Sequence, residues 1–297
     1  MPVDQTYKER ILAVLLHIQR NLDDELSIEE LARVAHFSPF HFHRIFRGLV
    51  GESVKEHIRR LRLERAAGQL KFSDQPIVGI ALDAGYETHE AFTRAFGAMF
   101  GCSPREFRRA YQEKLLPAAP SGVHYCPGGE LDDFEPLTPG GNAMDVRIEQ
   151  LPALSVVFTR VVGPYKQVAH QAWQRLCSWT GPRGLHGPNT LCLGICHDDP
   201  DVTPPDRVRY DAAITVSQPV APEGDIGVQE IPAGRYAVMT HRGPYEKLSQ
   251  TWGQLCGQWL PGSGHRVRSA PSFEIYRNDP NSTPPEDLVT DVHLPIE

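Results

Sequence analysis

Two stretches of the sequence follow one design: LARVAHFSPFHFHRIFRGLVGES at 31–53 and IALDAGYETHEAFTRAFGAMFGCS at 80–103. In each, a short segment with apolar residues at helical spacing leads through a turn into a longer one. Residues 31–37 match residues 80–86, and the matches after the turn are offset by one further residue. A short helix, a tight turn and a second helix make a helix-turn-helix motif. The sequence therefore predicts two such motifs in tandem.

Local signals indicate where the helices of these motifs begin. Ser27 to Glu30 has the spacing of a capping box, and Ser38-Pro39 places a proline where a helix can start. Between the two motifs, residues 54–70 carry five basic residues and few helix breakers, which predicts a long connecting helix. A stiff connector would hold two recognition helices in successive major-groove faces, about 34 Å apart.

Residues 5–112 resemble the DNA-binding domain of the AraC/XylS family. The match is densest in the second motif, at Pro76-Ile77, Ile80-Ala81, Gly85-Tyr86, Phe92, Arg94-Ala95-Phe96, Gly101, Ser103-Pro104 and Phe107-Arg108. The resemblance implies an all-α domain over residues 1–114 whose two recognition helices read double-stranded DNA. The positions it assigns to base reading are Phe40, His41, His43, Arg44, Arg47, Thr88, His89, Glu90, Thr93 and Arg94.

The chemistry of several of these positions suits base reading. Arg44 and Arg94 can bond to the two acceptors of guanine, and Glu90 can accept from cytosine. Family members often have Trp or Gln where Phe40, His43 and His89 stand, which leaves the operator sequence open, and the histidines can make binding pH-sensitive. The alternative for the two arginines is a solvated or salt-bridged role. We expect Phe42, Phe46, Phe92 and Phe96 to be core residues.

Residues 115–143 are rich in proline and glycine and show no sustained period, which predicts a linker. Residues 1–114 carry 17 Lys and Arg against 16 Asp and Glu, whereas residues 115–297 carry 13 against 21. An acidic second half repels DNA. The placement of basic residues in the first domain, rather than the net charge, must therefore supply DNA binding.

A second internal repeat fills the region 144–297. Leu151-Pro-Ala153 matches Ile231-Pro-Ala233, and Gly163-Pro-Tyr165 matches Gly243-Pro-Tyr245, at an offset of 80 residues. Within each copy the periodicity predicts two strands, a helix and two further strands. We expect an α+β domain of two ββαββ-like repeats related by a pseudo-twofold axis. The junction between such repeats is a common position for a ligand pocket.

Residues 144–297 also resemble the gyrase-inhibitory-protein-like (GyrI-like) effector-binding domain. The resemblance rests on Gly-Pro-Tyr before a helix, on Phe273-Glu274-Ile275-Tyr276-x-x-Asp279-Pro280 and on Thr290-Asp291. It implies a pocket for small lipophilic, often cationic molecules, in which an inward glutamate supplies the counter-charge. That glutamate is Glu274 in this sequence.

The residues themselves give Glu274 further support. Its counterpart in the first copy is Gly194, so the carboxylate breaks the internal symmetry. Strand alternation puts Glu274 and Tyr276 on one face, where a ligand cation can pair with the carboxylate and gain about 0.5–2 kcal/mol from aromatic rings. The alternative is a glutamate that faces solvent. The predicted aromatic lining comprises Tyr165, Trp173, Tyr236, Trp252 and Tyr276, with Trp173 and Trp252 equally eligible as core residues.

Other site types find little support in the sequence. Cys192-x-x-x-Cys196-His197 lacks a second Cys/His pair at zinc spacing, so we expect core cysteines and no metal. We also predict no cofactor and no catalytic constellation, because no glycine-rich phosphate loop and no assignable triad are present. No apolar run approaches the ~20 residues of a membrane span, and the first residues do not resemble a signal peptide. We therefore expect a cytoplasmic protein.

These patterns together predict a two-domain transcription regulator. The first domain would recognise operator DNA, and an effector bound in the second would change promoter binding or contact with RNA polymerase. Two alternatives stay open for the second domain. It could hydrolyse its ligand with Glu274 and a tyrosine such as Tyr276, or it could be a protein-interaction module.

Overall fold

The computed structural model describes residues 5–109, 116–137, 144–198 and 203–297. These residues form two compact units. The helical unit comprises residues 5–38 and 46–137, and the sheet unit comprises Pro39–Ile45 together with residues 144–297. The predicted domain boundaries at residues 114 and 143 lie outside the described residues.

The predicted all-α character of the first region is confirmed. The described residues from 5 to 109 form seven α-helices: α1 Gln5–Arg20, α2 Ile28–Val34, α3 Pro39–Val50, α4 Val54–Phe72, α5 Ile77–Asp83, α6 His89–Phe100 and α7 Pro104–Arg109. The pairs α2/α3 and α5/α6 are the two predicted helix-turn-helix motifs. Helix α4 is the predicted long connector. No helix in the described part of the chain has the length and apolar content that a membrane crossing requires.

Serine caps begin equivalent helices in the two motifs. The Ser53 hydroxyl accepts from the Glu56 amide, and the Glu56 carboxylate accepts from the Ser53 amide, at 3.2 and 2.8 Å. Ser103 and Glu106 repeat this capping box at the start of α7. The box predicted at Ser27 is only half formed. Ser27 accepts from the Glu30 amide, but the Glu30 carboxylate lies 3.1 Å from Nε2 of His17 instead.

The turn of each motif requires a left-handed backbone conformation. His36 holds it in the first motif at φ 54°, and Gly85 holds it in the second at φ 80°. Glycine adopts this region without the steric cost that a Cβ brings. At Gly85 a Cβ would also lie 2.7 Å from Nη1 of Arg62. The glycine therefore serves both the turn and the close approach of α4.

The arginines of α4 hold the helical unit together. Arg60 lies between Glu52 and Glu64, with N–O distances of 2.6 and 2.8 Å. Arg62 donates to the carbonyl of Leu22, and Arg65 donates to that of Asp83. These contacts join the connector to the loops beside it. Several of its arginines are therefore paired with carboxylates or carbonyl groups of the same unit.

Residues 116–137 carry no helix or strand but are packed on the helical unit. The amide of Tyr125 donates to the Glu64 carboxylate at 2.8 Å, and the side chain of Gln19 bonds the backbone on either side of Tyr125. Val123 and Phe134 are buried. The described part of the predicted linker is thus held on the helical unit, because buried Gln19 and Glu64 need the hydrogen-bond partners that its backbone supplies.

The described part of the sheet unit contains one antiparallel sheet of eight strands. Its strands are β1 Val146–Leu151, β2 Leu154–Val162, β3 Cys192–Cys196, β4 Arg209–Thr215, β5 Ile226–Ile231, β6 Gly234–Arg242, β7 Phe273–Tyr276 and β8 Val289–Ile296. The spatial order is β1-β6-β8-β7-β3-β4-β2-β5. Strands β1 to β4 belong to the first copy, and β5 to β8 are their equivalents in the second copy. When the sheet is read from the β5 edge and each strand is replaced by its equivalent, the same order results. Strands β3 and β7 pair at the centre, with Gly194 opposite Glu274.

The helices of the two copies differ. The first copy has a regular helix, α8, at Tyr165–Thr180. The predicted second helix begins as a 3₁₀ turn at Tyr245–Lys247, continues as α9 at Leu248–Gly253 and then takes π-helical pitch at Gln254–Trp259. Glycine is a poor α-helix former, and Gly253 and Gly257 lie where the regular pitch is lost.

The sheet separates two apolar clusters. Val157, Tyr210 and Ile214 pack with Ala172 and Leu176 of α8, which defines the helix face of the sheet. The opposite face carries a second apolar cluster formed by Val156, Leu193, Ile195, Ala213, Ile231, Tyr236, Val238, Phe273 and Ile275. Because side chains alternate along a strand, Glu274 and Tyr276 of β7 lie on the helix face.

Replacing Gly85 by alanine should destabilise the helical unit more than replacing Gly101. Gly101 is also left-handed, at φ 71°, but nothing lies within 4 Å of the Cβ it would gain. We expect Gly101→Ala to lower the free energy of unfolding by about 1–2 kcal/mol. Gly85→Ala should lower it by about 1 kcal/mol more, because Arg62 must also move and give up its hydrogen bond to the Leu22 carbonyl. Urea unfolding followed by circular dichroism measures both, and equal losses would contradict the contact with Arg62.

Candidate ligand site and DNA-reading residues

Glu274 is a buried carboxylate at the centre of the sheet. Only 5% of its surface is exposed. Oε1 accepts from the Trp252 indole at 2.9 Å, and Oε2 accepts from the Tyr276 hydroxyl at 2.8 Å. Burial raises the pKa of Glu274, although these two hydrogen bonds and the positive charge of Arg44 act in the opposite direction. The carboxylate therefore faces the interior of the unit rather than solvent.

Aromatic side chains continue the hydrogen-bond network from Glu274. The hydroxyl oxygens of Tyr276 and Tyr210 lie 3.1 Å apart, and the Trp173 indole donates to Tyr210 at 3.0 Å. The rings of Tyr245 and Tyr276 meet edge to face at 5.3 Å, and Tyr165 packs against Tyr210 at 5.7 Å. We call this group the aromatic cluster; its members are Tyr165, Trp173, Tyr210, Tyr245, Trp252 and Tyr276.

Four of the predicted aromatic residues belong to this cluster, and two members were missed. Tyr245 is the counterpart of Tyr165 in the repeated Gly-Pro-Tyr motif, so the repeat carried the signal for it. Tyr210 has no aromatic counterpart, since Thr290 stands at its position in the second copy. Trp173 and Trp252 are at once packed residues and members of the cluster.

Tyr236 does not join the aromatic cluster. Its ring packs edge-on against Phe273 at 5.3 Å, and its hydroxyl donates to the carbonyl of Pro232 at 2.8 Å. Phe273 precedes Glu274 in β7, so the two side chains lie on opposite faces of the sheet. The register of β6 therefore directs Tyr236 away from the site that its aromatic character predicted.

Gly194 makes room for the hydroxyl groups beside Glu274. A Cβ at this position would overlap the Tyr276 hydroxyl and would lie 2.9 Å from the Tyr210 hydroxyl. Gly194 and Glu274 are direct partners in the pairing of β3 with β7. The sequence difference between the two copies is thus a spatial one, because the missing side chain of one strand accommodates the polar network of the other.

The tyrosines of the cluster are held in their neutral form. Burial raises the pKa of Tyr245 to about 12, with a further contribution from the charge of Glu274. Burial, again assisted by Glu274, raises the pKa of Tyr276 well above its usual value. These hydroxyls therefore act as hydrogen-bond donors.

Cys196 and His197, two members of the predicted Cys/His pattern, have different neighbours. Sγ of Cys196 lies 3.9 Å from Oε1 of Glu274, whereas His197 bonds the Asp211 carboxylate at 2.7 Å. Across the described ranges, no three His, Cys, Asp or Glu side chains are grouped as metal ligands.

The first half of α3 belongs to the sheet unit and lies against the aromatic cluster. Phe40 is buried with Val157, Leu176 and Tyr210, and its ring meets that of Trp252 edge to face at 5.9 Å. The Arg44 guanidinium lies 3.9 Å from the Phe40 ring centre and 5.5 Å from that of Trp252. Nε2 of His41 lies 3.1 Å from the Ser272 hydroxyl.

The two sets of predicted base-reading residues differ in exposure. In the first motif Phe40, His41, His43 and Arg44 are buried, and Arg47 is exposed. Burial and the nearby charge of Arg44 lower the pKa of His41 to about 3, so this histidine does not titrate near neutral pH in this arrangement.

In the second motif most of the predicted base-reading positions are exposed. His89, Glu90 and Arg94 are exposed, and Thr93 is partly buried. The Thr88 hydroxyl caps α6 by accepting from the Ala91 amide at 3.2 Å. Its oxygen therefore already has a structural partner.

Two family matches cover most of the described chain. Residues 144–297 match the GyrI-like small molecule binding domain, and residues 31–110 match a helix-turn-helix domain. The uncharacterised HTH-type transcriptional regulator YbfP of Bacillus subtilis strain 168 is 40% identical over 102 residues, which are 34% of this chain and 35% of YbfP. The chain thus aligns with about a third of that relative's length.

Two further relatives are covered almost completely. A DNA gyrase inhibitor of Serratia proteamaculans strain 568 is 36% identical over 140 residues, 46% of this chain and 88% of the inhibitor. The probable transcriptional regulator YgiV of Escherichia coli K12 is 32% identical over 160 residues, 52% of this chain and 96% of YgiV. The chain belongs to the GyrI-like small-molecule-binding family and carries, in the same polypeptide, the AraC-type helix-turn-helix DNA-binding domain of a transcription regulator.

Proposed function

We propose that the aromatic cluster around Glu274 binds a small lipophilic cation, and that this cation is the effector of the regulator. The observation that carries the proposal is a buried carboxylate whose hydrogen-bond donors are aromatic side chains. Such a group attracts positive charge, and the surrounding rings add cation–π attraction. Apolar area around the same carboxylate favours the lipophilic part of a ligand.

Burial increases the free-energy cost of leaving the Glu274 carboxylate without an opposite charge. A buried charge is costly unless it is paired and hydrogen-bonded. Trp252 and Tyr276 each give Glu274 one hydrogen bond, and both donors are uncharged in this structure. A ligand cation would add the opposite charge that these donors lack. The counterpart of Glu274 in the first copy is Gly194, which has no carboxylate to pair with a cation. We therefore expect one cation site in the sheet unit rather than two.

Replacement of Glu274 by glutamine should weaken binding of a lipophilic cation by more than about tenfold, because the charge is lost while the shape is kept. Tetraphenylphosphonium is a suitable probe, and isothermal titration calorimetry measures its affinity. Glu286→Gln is the matched control, since Glu286 is an exposed carboxylate of the same unit. Tetraphenylborate, of similar size and opposite charge, should bind far more weakly. Equal binding of the two probes, or of the two variants, would remove the counter-charge role.

The affinity for the cation should also depend on pH. The pKa of Glu274 is raised, and only the ionised carboxylate pairs with a cation. Affinity should therefore be highest above this raised pKa and should fall as the pH is lowered through it. The same titration on Glu274→Gln should show no such fall, and a parallel decline in both proteins would assign the pH dependence to other groups.

DNA reading is proposed for the exposed face of α6. Arg94 is exposed, on a recognition helix that is capped at its start by Thr88. An arginine on this face can bond to both acceptors of a guanine. Effector binding would then alter promoter binding or contact with RNA polymerase. That requires a different effector affinity in two states, a coupling of typically about 1–3 kcal/mol.

Arg94→Ala should weaken specific DNA binding by about 1–3 kcal/mol and relax the preference at one base pair. The operator is first selected from random duplexes with the wild-type protein, and affinities are then measured at one fixed salt concentration. Arg33→Ala is the control, because Arg33 is an exposed arginine on the first helix of the other motif. An unchanged preference in Arg94→Ala would contradict its role in base reading.

A further inference from the structure

The two helix-turn-helix motifs differ at the positions that face DNA in such motifs. Phe40 and Arg44 of α3 are buried, whereas their counterparts Glu90 and Arg94 of α6 are exposed. Arginine is almost never fully buried without compensating contacts. The burial of a base-reading arginine in one motif and not in the other therefore indicates that the first helix end has a specific partner.

That partner is the candidate ligand site. The Arg44 guanidinium stacks on Phe40 and reaches the ring of Trp252, whose indole donates to Glu274. The charge of Arg44 acts against the rise that burial causes in the pKa of Glu274. Phe40 at the same time fills an apolar position beside Tyr210.

The pair Phe40 and Arg44 has the chemistry of the proposed effector. Guanidinium is a planar, delocalised and weakly hydrated cation that stacks on aromatic faces. The Phe40 ring beneath it supplies the apolar area of a lipophilic cation. The contact of His41 with Ser272 adds a polar fixing point at the same end of α3.

We propose that residues 39–45 are an internal ligand of the Glu274 site, and that an external lipophilic cation displaces them. While they occupy the site, the base-reading side chains of α3 are buried and do not reach DNA. Displacement frees these side chains, so cation binding and DNA reading by the first motif support each other. This inference rests on the proposed function, that the Glu274 site binds lipophilic cations.

An internal ligand competes with an external one for the same site. The apparent affinity for the external ligand is the intrinsic affinity multiplied by the fraction of molecules whose site is free. Arg44→Gln weakens the internal ligand and should therefore raise the affinity for tetraphenylphosphonium, by about tenfold or more. Arg33→Gln makes the same change at an exposed arginine of the helical unit. It should leave the affinity for the cation unchanged.

A second measurement does not depend on the charge of Arg44. His41→Cys places a thiol at a buried position of α3, and its alkylation is followed by mass spectrometry of the peptide that carries it. Saturating tetraphenylphosphonium should accelerate alkylation by about tenfold or more, because the site must release this segment. Ala91→Cys, the equivalent position on α6, should react at a rate that the cation does not change.

The outcomes separate the two proposals. Cation binding that needs Glu274 but is not tightened by Arg44→Gln, with no change in alkylation of His41→Cys, would overturn the internal ligand and leave the effector site standing. Absence of cation binding in both the wild type and Arg44→Gln would overturn both. Tighter binding in Arg44→Gln together with cation-dependent alkylation at position 41 supports both.

Discussion

The hydrogen-bonded burial of the Glu274 carboxylate is the constraint on which the sheet unit depends. A carboxylate at the centre of a sheet needs donors, and Trp252 and Tyr276 provide them at 2.9 and 2.8 Å. Room for the Tyr276 hydroxyl exists only because the opposing residue of β3 is Gly194. Loss of either donor removes a hydrogen bond from a buried carboxyl group, which is costly.

The functions proposed for this chain lie where the internal repeats differ. Both copies in the sheet unit supply the same strands, and the site appears at the pair of positions where one copy has Gly194 and the other Glu274. The two helix-turn-helix motifs share their serine caps and left-handed turns, but Phe40 stands where the second motif has Glu90. Shared residues build the scaffold, and we propose that the unequal ones make the Glu274 site a binding site and the first recognition helix its occupant.

Sequence patterns predicted the elements better than the contacts between them. Helical spacing, the Ser27 cap and the repeat of Gly-Pro-Tyr are local signals, so the helices and most strands agree with expectation. The direction of Tyr236 depends on the register of β6, and the packing of residues 124–126 depends on Gln19 of α1 and Glu64 of α4, which local patterns do not encode. The contact of His41 with Ser272 joins residues 231 positions apart, so the sequence indicated base reading at α3 but not its burial.

The proton balance of cation binding most directly tests whether Glu274 supplies the counter-charge. Tetraphenylphosphonium should pair with an ionised Glu274, whose pKa in the free protein is raised by burial, so binding must release protons where this group is partly protonated. Titration calorimetry in buffers of different ionisation enthalpy counts those protons. We expect proton release from the wild type and none from Glu274→Gln. Binding without proton release, or the same release from both proteins, would contradict this role of Glu274.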